Sequence, residues 1–308
     1  MPLHTNHRPA NFDELIGNES VVASLKSVLS REKDRPHSFL FTGDSGCGKT
    51  TCARILKTEL NCSNSDFYLY NSSNTRGIDT IREIIDNCQF APMNGDVKLF
   101  ILEEFHQVTG PAQEALLVIL EEPPSHVYFA LCTTEPEKLK PTIKRRCHVS
   151  EMKPLLLPEL NKLLNQVLQK EGIKSFPDDV INKIISVCDG SPGKALNLLD
   201  TVIDIPNDDQ AFKAIEDATV SESNIAEIAR ILIKGGGQWQ SIAQMINGLS
   251  GEPESLRYAF LGYFSKVLLN NQSDRVAEIL TVFMEPVMYS LRPGLIAEIY
   301  LAWKASLG

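Results

Sequence analysis

The sequence predicts an α/β fold: a core built on a parallel sheet, followed by a small helical segment and an all-helical region. Three observations predict it. Through the first half, short and almost continuously apolar runs alternate with amphipathic stretches, the pattern of strands buried on both faces of a parallel sheet. After Cys147 the β-like runs stop and helical periodicity takes over, punctuated by Pro154, Pro158, Pro177 and Pro192. The 308 residues, 43% hydrophobic and 22% charged, exceed the usual single-domain size and supply apolar side chains for more than one core.

Taken in order, residues 38–42 (Ser-Phe-Leu-Phe-Thr) form the first strand and run into glycine. A helix follows from Lys49, with Ala53, Ile55, Leu56 and Leu60 on or near one face. Phe67 to Tyr70 make the second strand, and 77–88 a helix carrying Ile78, Ile81, Ile84 and Ile85. A third strand is expected at 97–102, a helix at 111–121 and a fourth strand at 126–132. Residues 158–203 hold about three short helices, including 158–170 and 177–187. Ile205-Pro206-Asn207-Asp208-Asp209 reads as a linker, and Gly235-Gly236-Gly237 separates two longer helices. The expected domains are 1–153, 154–204 and 205–308.

Composition removes several function classes. A net charge of −9, with neither half basic, excludes binding polyanions by bulk charge, so any nucleic-acid contact must be local. No run approaches the roughly 18–20 apolar residues of a membrane helix, and the start lacks the layout of a signal peptide, so a cytoplasmic protein is expected. The seven cysteines are odd in number, scattered and never spaced Cys-x-x-Cys. They read as reduced core thiols, not as a disulfide framework or a zinc knuckle.

The strongest chemical signal is Gly43-Asp44-Ser45-Gly46-Cys47-Gly48-Lys49-Thr50, a full G-x-x-x-x-G-K-[ST] match between a strand and a helix. Its glycines let backbone N–H groups wrap phosphates, and the helix N-terminus, which Thr51 continues, adds positive potential. Lys49 reaches the β- and γ-phosphates and Thr50 offers a hydroxyl to Mg²⁺, so ATP with Mg²⁺ is the expected cofactor pair. Such a site needs an acid at the end of a neighbouring strand. The strand ending at Leu102 delivers Glu103 and Glu104. Glu103 stands in the metal-holding position, acting through water, and Glu104 is the candidate that orients and deprotonates an attacking water.

Further segments carry a resemblance. Arg8-Pro9-x-x-Phe12-Asp13-Glu14-Leu15-Ile16-Gly17, Leu60-Asn61-Cys62, Thr75-Arg76-Gly77-Ile78-Asp79, Leu120-Glu121-Glu122-Pro123-Pro124, Thr133-Thr134-Glu135-Pro136-x-Lys138-Leu139 and Arg145-Arg146-Cys147 resemble clamp-loader ATPases of the AAA+ class. In particular they resemble the gamma/tau subunits of bacterial replicative polymerases. The similarity runs through about the first 200 residues. It implies a helical lid at 154–204, an oligomerising collar at 205–308, and an ATPase that opens a ring clamp and loads it onto primer–template DNA in a pentameric-type spiral of subunits. The replicative polymerase is then an indirect partner.

The resemblance also implies residue roles. Arg8, Pro9, Ile16 and Gly17 would line the adenine side, although Pro9 and Ile16 read equally well as loop and core positions. Thr134 matches the polar sensor after the fourth strand, and Arg146 an arginine finger acting on a neighbouring subunit, with Arg145 where serine is usual. Residues 190–196 (Gly-Ser-Pro-Gly-Lys-Ala-Leu) place Pro192 and Lys194 at the second sensor but put glycine where the family's arginine stands, as in delta-prime stators. Thr75, Arg76, Gly77 and Ile78 would grip a DNA phosphate at a helix start. A second such grip at Thr109 and Gln113 is weaker, Gln113 reading as an ordinary helix residue. Phe90 and Met93 would dock into the clamp or pack on their own domain. The four-cysteine zinc module of bacterial gamma/tau subunits is absent, so no structural zinc is expected. A shortened chain of this kind suits a phage-encoded loader working in a host cytoplasm. The competing readings are a stator that binds nucleotide without hydrolysing it and, less favoured, a small-molecule P-loop kinase.

Overall fold

The computed structural model describes residues 2–72, 77–236, 238–249, 253–270, 273–287 and 291–307. The chain divides into two compact units, residues 1–200 and 201–308. The first unit opens with α1 (Leu3–Asn6) and α2 (Glu19–Leu29), continues as β1 (Ser38–Thr42), α3 (Lys49–Glu59), β2 (Phe67–Asn71), α4 (Ile78–Cys88), β3 (Lys98–Glu103) and α5 (Gly110–Glu121), and then β4 (Val127–Thr133), α6 (Pro141–Arg146) and β5 (His148–Glu151). Three helices follow, α7 (Leu157–Lys170), α8 (Asp178–Val187) and α9 (Pro192–Val202).

The five strands form one parallel sheet in the order β2-β3-β4-β1-β5. The apolar runs are continuous because both faces are covered. Phe39, Phe41, Leu99, Ile101, Tyr128 and Ala130 meet α2 and α3 residues such as Leu25, Cys52 and Leu56 on one face. Their strand neighbours Leu40, Phe100, Leu102, Phe129 and Leu131 meet Ile81, Ile84, Leu116 and Ile143 of α4, α5 and α6 on the other.

The strand β5 and the helices α1 and α2 are not among the expected elements. Strand character does not stop at Cys147: His148–Glu151 pairs with β1, and Met152 N–H donates to Thr42 O at 2.8 Å. This edge strand escapes an apolar-run criterion because it is four residues long and only Ser150 is buried in it. All seven cysteines are free, and burial pushes the Cys52, Cys88 and Cys147 thiols up to about 12, as expected of core groups.

The second unit contains α10 (Asp208–Lys234), α11 (Trp239–Asn247), α12 (Pro253–Asn270), α13 (Asp274–Val282) and α14 (Leu291–Ser306). Its core includes Ile228, Leu232, Ile242, Leu295 and Ile299 around three aromatic rings. Phe260 and Phe264 each lie near Phe283, with centroids 5.3 and 5.4 Å away. Among the described residues no helix is long and apolar enough to cross a membrane.

Candidate nucleotide-binding site

The site lies at the carboxyl ends of β1 and β3, where open parallel sheets place their ligands. Between β1 and α3 the chain turns through Gly43, Gly46 and Gly48, with φ of 131°, 77° and 95°. These are backbone states that favour glycine. At Gly43 a side chain is excluded outright, since a Cβ would sit 2.2 Å from the Met152 carbonyl oxygen. The turn leads directly into the first turn of α3, so Lys49, Thr50 and Thr51 stand at a helix N-terminus.

Lys49 is buried, and its Nζ donates to the carbonyls of Gly43 (2.9 Å) and Asp44 (2.7 Å). Burial depresses its pKa, with the Glu104 carboxylate pulling the other way. The loop thus holds its own lysine by backbone oxygens. Across the cleft, β3 ends at Glu103, in register with Asn71 of β2. Glu104 follows in a left-handed conformation (φ 50°), which turns the chain sharply as it leaves the sheet. Burial also depresses the Arg8 pKa, reinforced by Arg54 and opposed by Glu103.

These groups line one cleft of about 370 Å³. Of the residues expected at the nucleotide, Arg8, Pro9, Ile16, Ser45, Gly46, Cys47, Gly48, Lys49, Thr50, Thr51, Glu103, Glu104 and Pro192 line it. Gly43 and Asp44 contribute through the carbonyls that hold Lys49. Gly17 is outside the lining, in a positive-φ turn where a Cβ would meet Leu155 at 2.4 Å. The lining also includes groups with no spacing signal in the sequence: His4 and His7 from the N-terminus, Asn71, and Gln166 and Lys170 of α7. The oxygen donors Thr50 and Glu103, facing the same cleft beside the glycine cradle, fit a hard Mg²⁺ ion carried with a nucleotide.

The sequence pattern of the family described as DNA polymerase III, delta subunit, matches residues 63–156. A DNA polymerase III subunit gamma/tau from Mycobacterium tuberculosis is 34% identical over 226 residues, covering 66% of this chain and 39% of the relative. The subunit tau of Bacillus subtilis is 31% identical over 256 residues, covering 75% and 45%. The chain belongs to the gamma/tau-like AAA+ family of bacterial DNA polymerase III. It spans less than half the length of these two relatives. Thermotoga maritima RuvB shares the fold, with a TM-score of 0.59 at 20% identity over 79% of this chain and 86% of its own.

The remaining residues singled out for this gamma/tau-like chain lie elsewhere. Thr134 follows β4 directly, and its Oγ1 is buried without a hydrogen-bond partner. Arg146 ends α6, where Nη1 donates to Thr142 O at 3.0 Å and Nη2 pairs with Glu121 at the end of α5. Lys194 is not in the lining; its Nζ lies 3.3 Å from Asp189, while Gly193 packs against the phosphate loop, donating to Gly46 O at 3.3 Å. Thr75 and Arg76 lie outside the described residues. Gly77 caps α4 and Ile78 opens it. Gln113 is buried, donating to Val108 O and accepting from Lys140 N–H, so it is a core connector and not a DNA contact. Phe90 and Met93 are 68% and 73% exposed and do not pack into their own domain.

Proposed function

We propose that this chain is an ATP-hydrolysing subunit of a clamp loader that opens a ring clamp and places it on primer–template DNA. The observation that carries this reading is the convergence of Lys49, Thr50, Glu103 and Glu104 in one cleft roofed by Pro9, Ile16 and Pro192. In that reading residues 1–153 are the ATPase core, 154–204 a lid and 205–308 a collar, working in the cytoplasm.

Backbone N–H groups from Ser45 to Thr50 and the ammonium of Lys49 bind and orient the phosphates. To do so Lys49 exchanges its carbonyl partners for phosphate oxygens. Thr50 and Glu103 would hold Mg²⁺, which would supply charge neutralisation to the phosphates. Glu104 aligns a water for in-line attack and takes its proton, and Thr134 holds that water or the γ-phosphate from the end of the next strand. Arg146 acts on the nucleotide of a neighbouring subunit. The exposure of Phe90 and Met93 supports a clamp-facing role, and the start of α4 is the DNA phosphate grip.

A second reading, a stator that keeps nucleotide without hydrolysing it, is favoured by one observation. Gly193 offers no side chain at the second sensor and Lys194 is engaged by Asp189. Both readings are tested by measuring ATP turnover of the reconstituted complex with and without primed DNA and clamp. Turnover stimulated by the two together is the expected result. Nucleotide binding with no turnover would establish the stator instead.

A further inference from the structure

The loop after β3 and the loop after β4 are joined by a buried histidine. His106 follows Glu104 by two residues, its side chain is fully enclosed, and Thr133, Glu104 and Glu135 present polar groups to it. Nδ1 lies 3.1 Å from Thr133 Oγ1 and 3.6 Å from Glu104 Oε2, while Nε2 lies 3.0 Å from Glu135 Oε1. Thr133 Oγ1 also accepts the Glu135 N–H at 3.1 Å, so its hydroxyl proton is available to His106. Glu135 is paired in turn with Lys138 at 2.7 Å.

The consequence falls on Glu104. Its Oε2 is buried against the imidazole with no hydrogen bond of its own, yet the side chain keeps 37% of its surface exposed. One carboxylate oxygen is therefore turned inward to His106 and the remainder toward the cleft. A glutamate on a left-handed turn has several rotamers open to it, and a wall behind one oxygen removes most of them.

We propose that His106 is a positioning residue for hydrolysis: it backs the inner oxygen of Glu104, sets the direction of the outer one toward the attacking water, and fastens that arrangement to Glu135 on the loop leading to α6. The proposal rests on the reading of Glu104 as the water-activating group. It explains why a large polar ring is buried at the end of the sheet, where an aliphatic side chain would fill the same space without burying polar atoms.

The test uses the full chain in the reconstituted complex with clamp and primed DNA, comparing His106→Gln, His106→Asn, Glu104→Gln and the Glu104→Gln/His106→Gln pair. The side-chain amide of glutamine reaches toward Glu135 and that of asparagine toward Thr133 and Glu104, so each keeps half of the histidine's contacts. Both single variants should lower kcat on the order of tenfold or more while leaving KM and the directly measured ATP affinity within about twofold, the signature of a lost transition-state arrangement. Adding His106→Gln to Glu104→Gln should cost nothing further, because the group being positioned is already gone. Wild-type kcat in both variants overturns the proposal, as does loss of ATP affinity in parallel with turnover, or an additive double variant. Glu104→Gln separates this from the underlying reading. If that variant hydrolyses ATP at the wild-type rate, the role of Glu104 itself falls; if it is inactive and both His106 variants are normal, only the positioning role falls.

Discussion

The phosphate loop and the cation-bearing helices α6 and α9 hold similar charges in different ways. Lys49 is held by two backbone carbonyls, whereas Arg146 rests on the Glu121 carboxylate together with the Thr142 carbonyl, and Lys194 lies against Asp189. Backbone partners move only if the loop moves, so the loop is preorganised, although the Lys49 ammonium must itself turn from those carbonyls to reach a phosphate. Side-chain partners leave by rotation about single bonds, and an ion pair that keeps some solvent exposure holds them by little more than about 1 kcal/mol.

The largest expected effect sharpens that contrast. If Arg146 leaves Glu121 for the nucleotide of a neighbouring subunit, Arg146→Ala should cut ATP turnover of the assembled complex on the order of 10³-fold and leave ATP binding by the isolated chain unchanged. An unchanged assembled rate would return Arg146 to a structural ion pair. On the preorganised side, Gly43→Ala places a Cβ against the Met152 carbonyl at a φ of 131°. About 1–3 kcal/mol of backbone strain follows, with a matching loss in thermal stability and at least a tenfold loss of ATP affinity. If both quantities stay at wild-type values, the loop is not rigid and the contrast fails.

Legibility in the sequence follows the same division. A phosphate loop is a backbone requirement, and backbone requirements appear as glycines at fixed spacing, so residues 43–50 could be read directly. Glu103 and Glu104 were legible because a buried strand leads into them. The edge strand β5 was not, since it has one covered residue and no apolar run. His106 was not, because its importance depends on Thr133 and Glu135 arriving from another strand end. The partners of Lys194 and Arg146 depend on rotamers, and no spacing rule encodes those.

Asp66 extends the backbone-held class beyond the cleft. It is fully buried just before β2, where it accepts Met93 N–H at 2.6 Å, Asn94 N–H at 3.0 Å and the Ser63 hydroxyl at 2.5 Å. These bonds fix the turn that presents Phe90 and Met93. Burial alone would raise the Asp66 pKa, but the hydrogen bonds from Ser63, Asn94, Met93 and Ser65 outweigh it and hold the carboxyl below its usual range. A depressed carboxylate contributes stability above its unfolded pKa of about 3.9 and loses it as pH falls toward the folded value. Asp66→Asn should therefore cost about 2 kcal/mol near pH 7, in urea unfolding, and flatten the loss of stability below pH 4. An equally steep acid limb in the variant would show that backbone donors do not hold this charge.

Glu298 on α14 is the counter-case, a half-buried acid. Its Oε2 has no hydrogen-bond partner, and burial raises its pKa to about 7; Arg257 pulls it down, while Glu254 and Glu285 push it further up. A carboxyl whose folded pKa lies above its unfolded value near 4.3 is protonated more readily in the native state, so the native state is favoured at low pH and loses that advantage as pH rises from about 4 to 7. Glu298→Gln removes the ionisation and keeps the shape. It should stabilise the chain by on the order of 1 kcal/mol at pH 8, a figure reduced for the solvent the side chain still meets, and by nothing at pH 4. The readout is thermal unfolding of wild type and variant at the two pH values. A gain of equal size at both would mean that charge burial is not the cause, and the distinction between charges held by backbone and charges left to side chains would not extend to the helical unit.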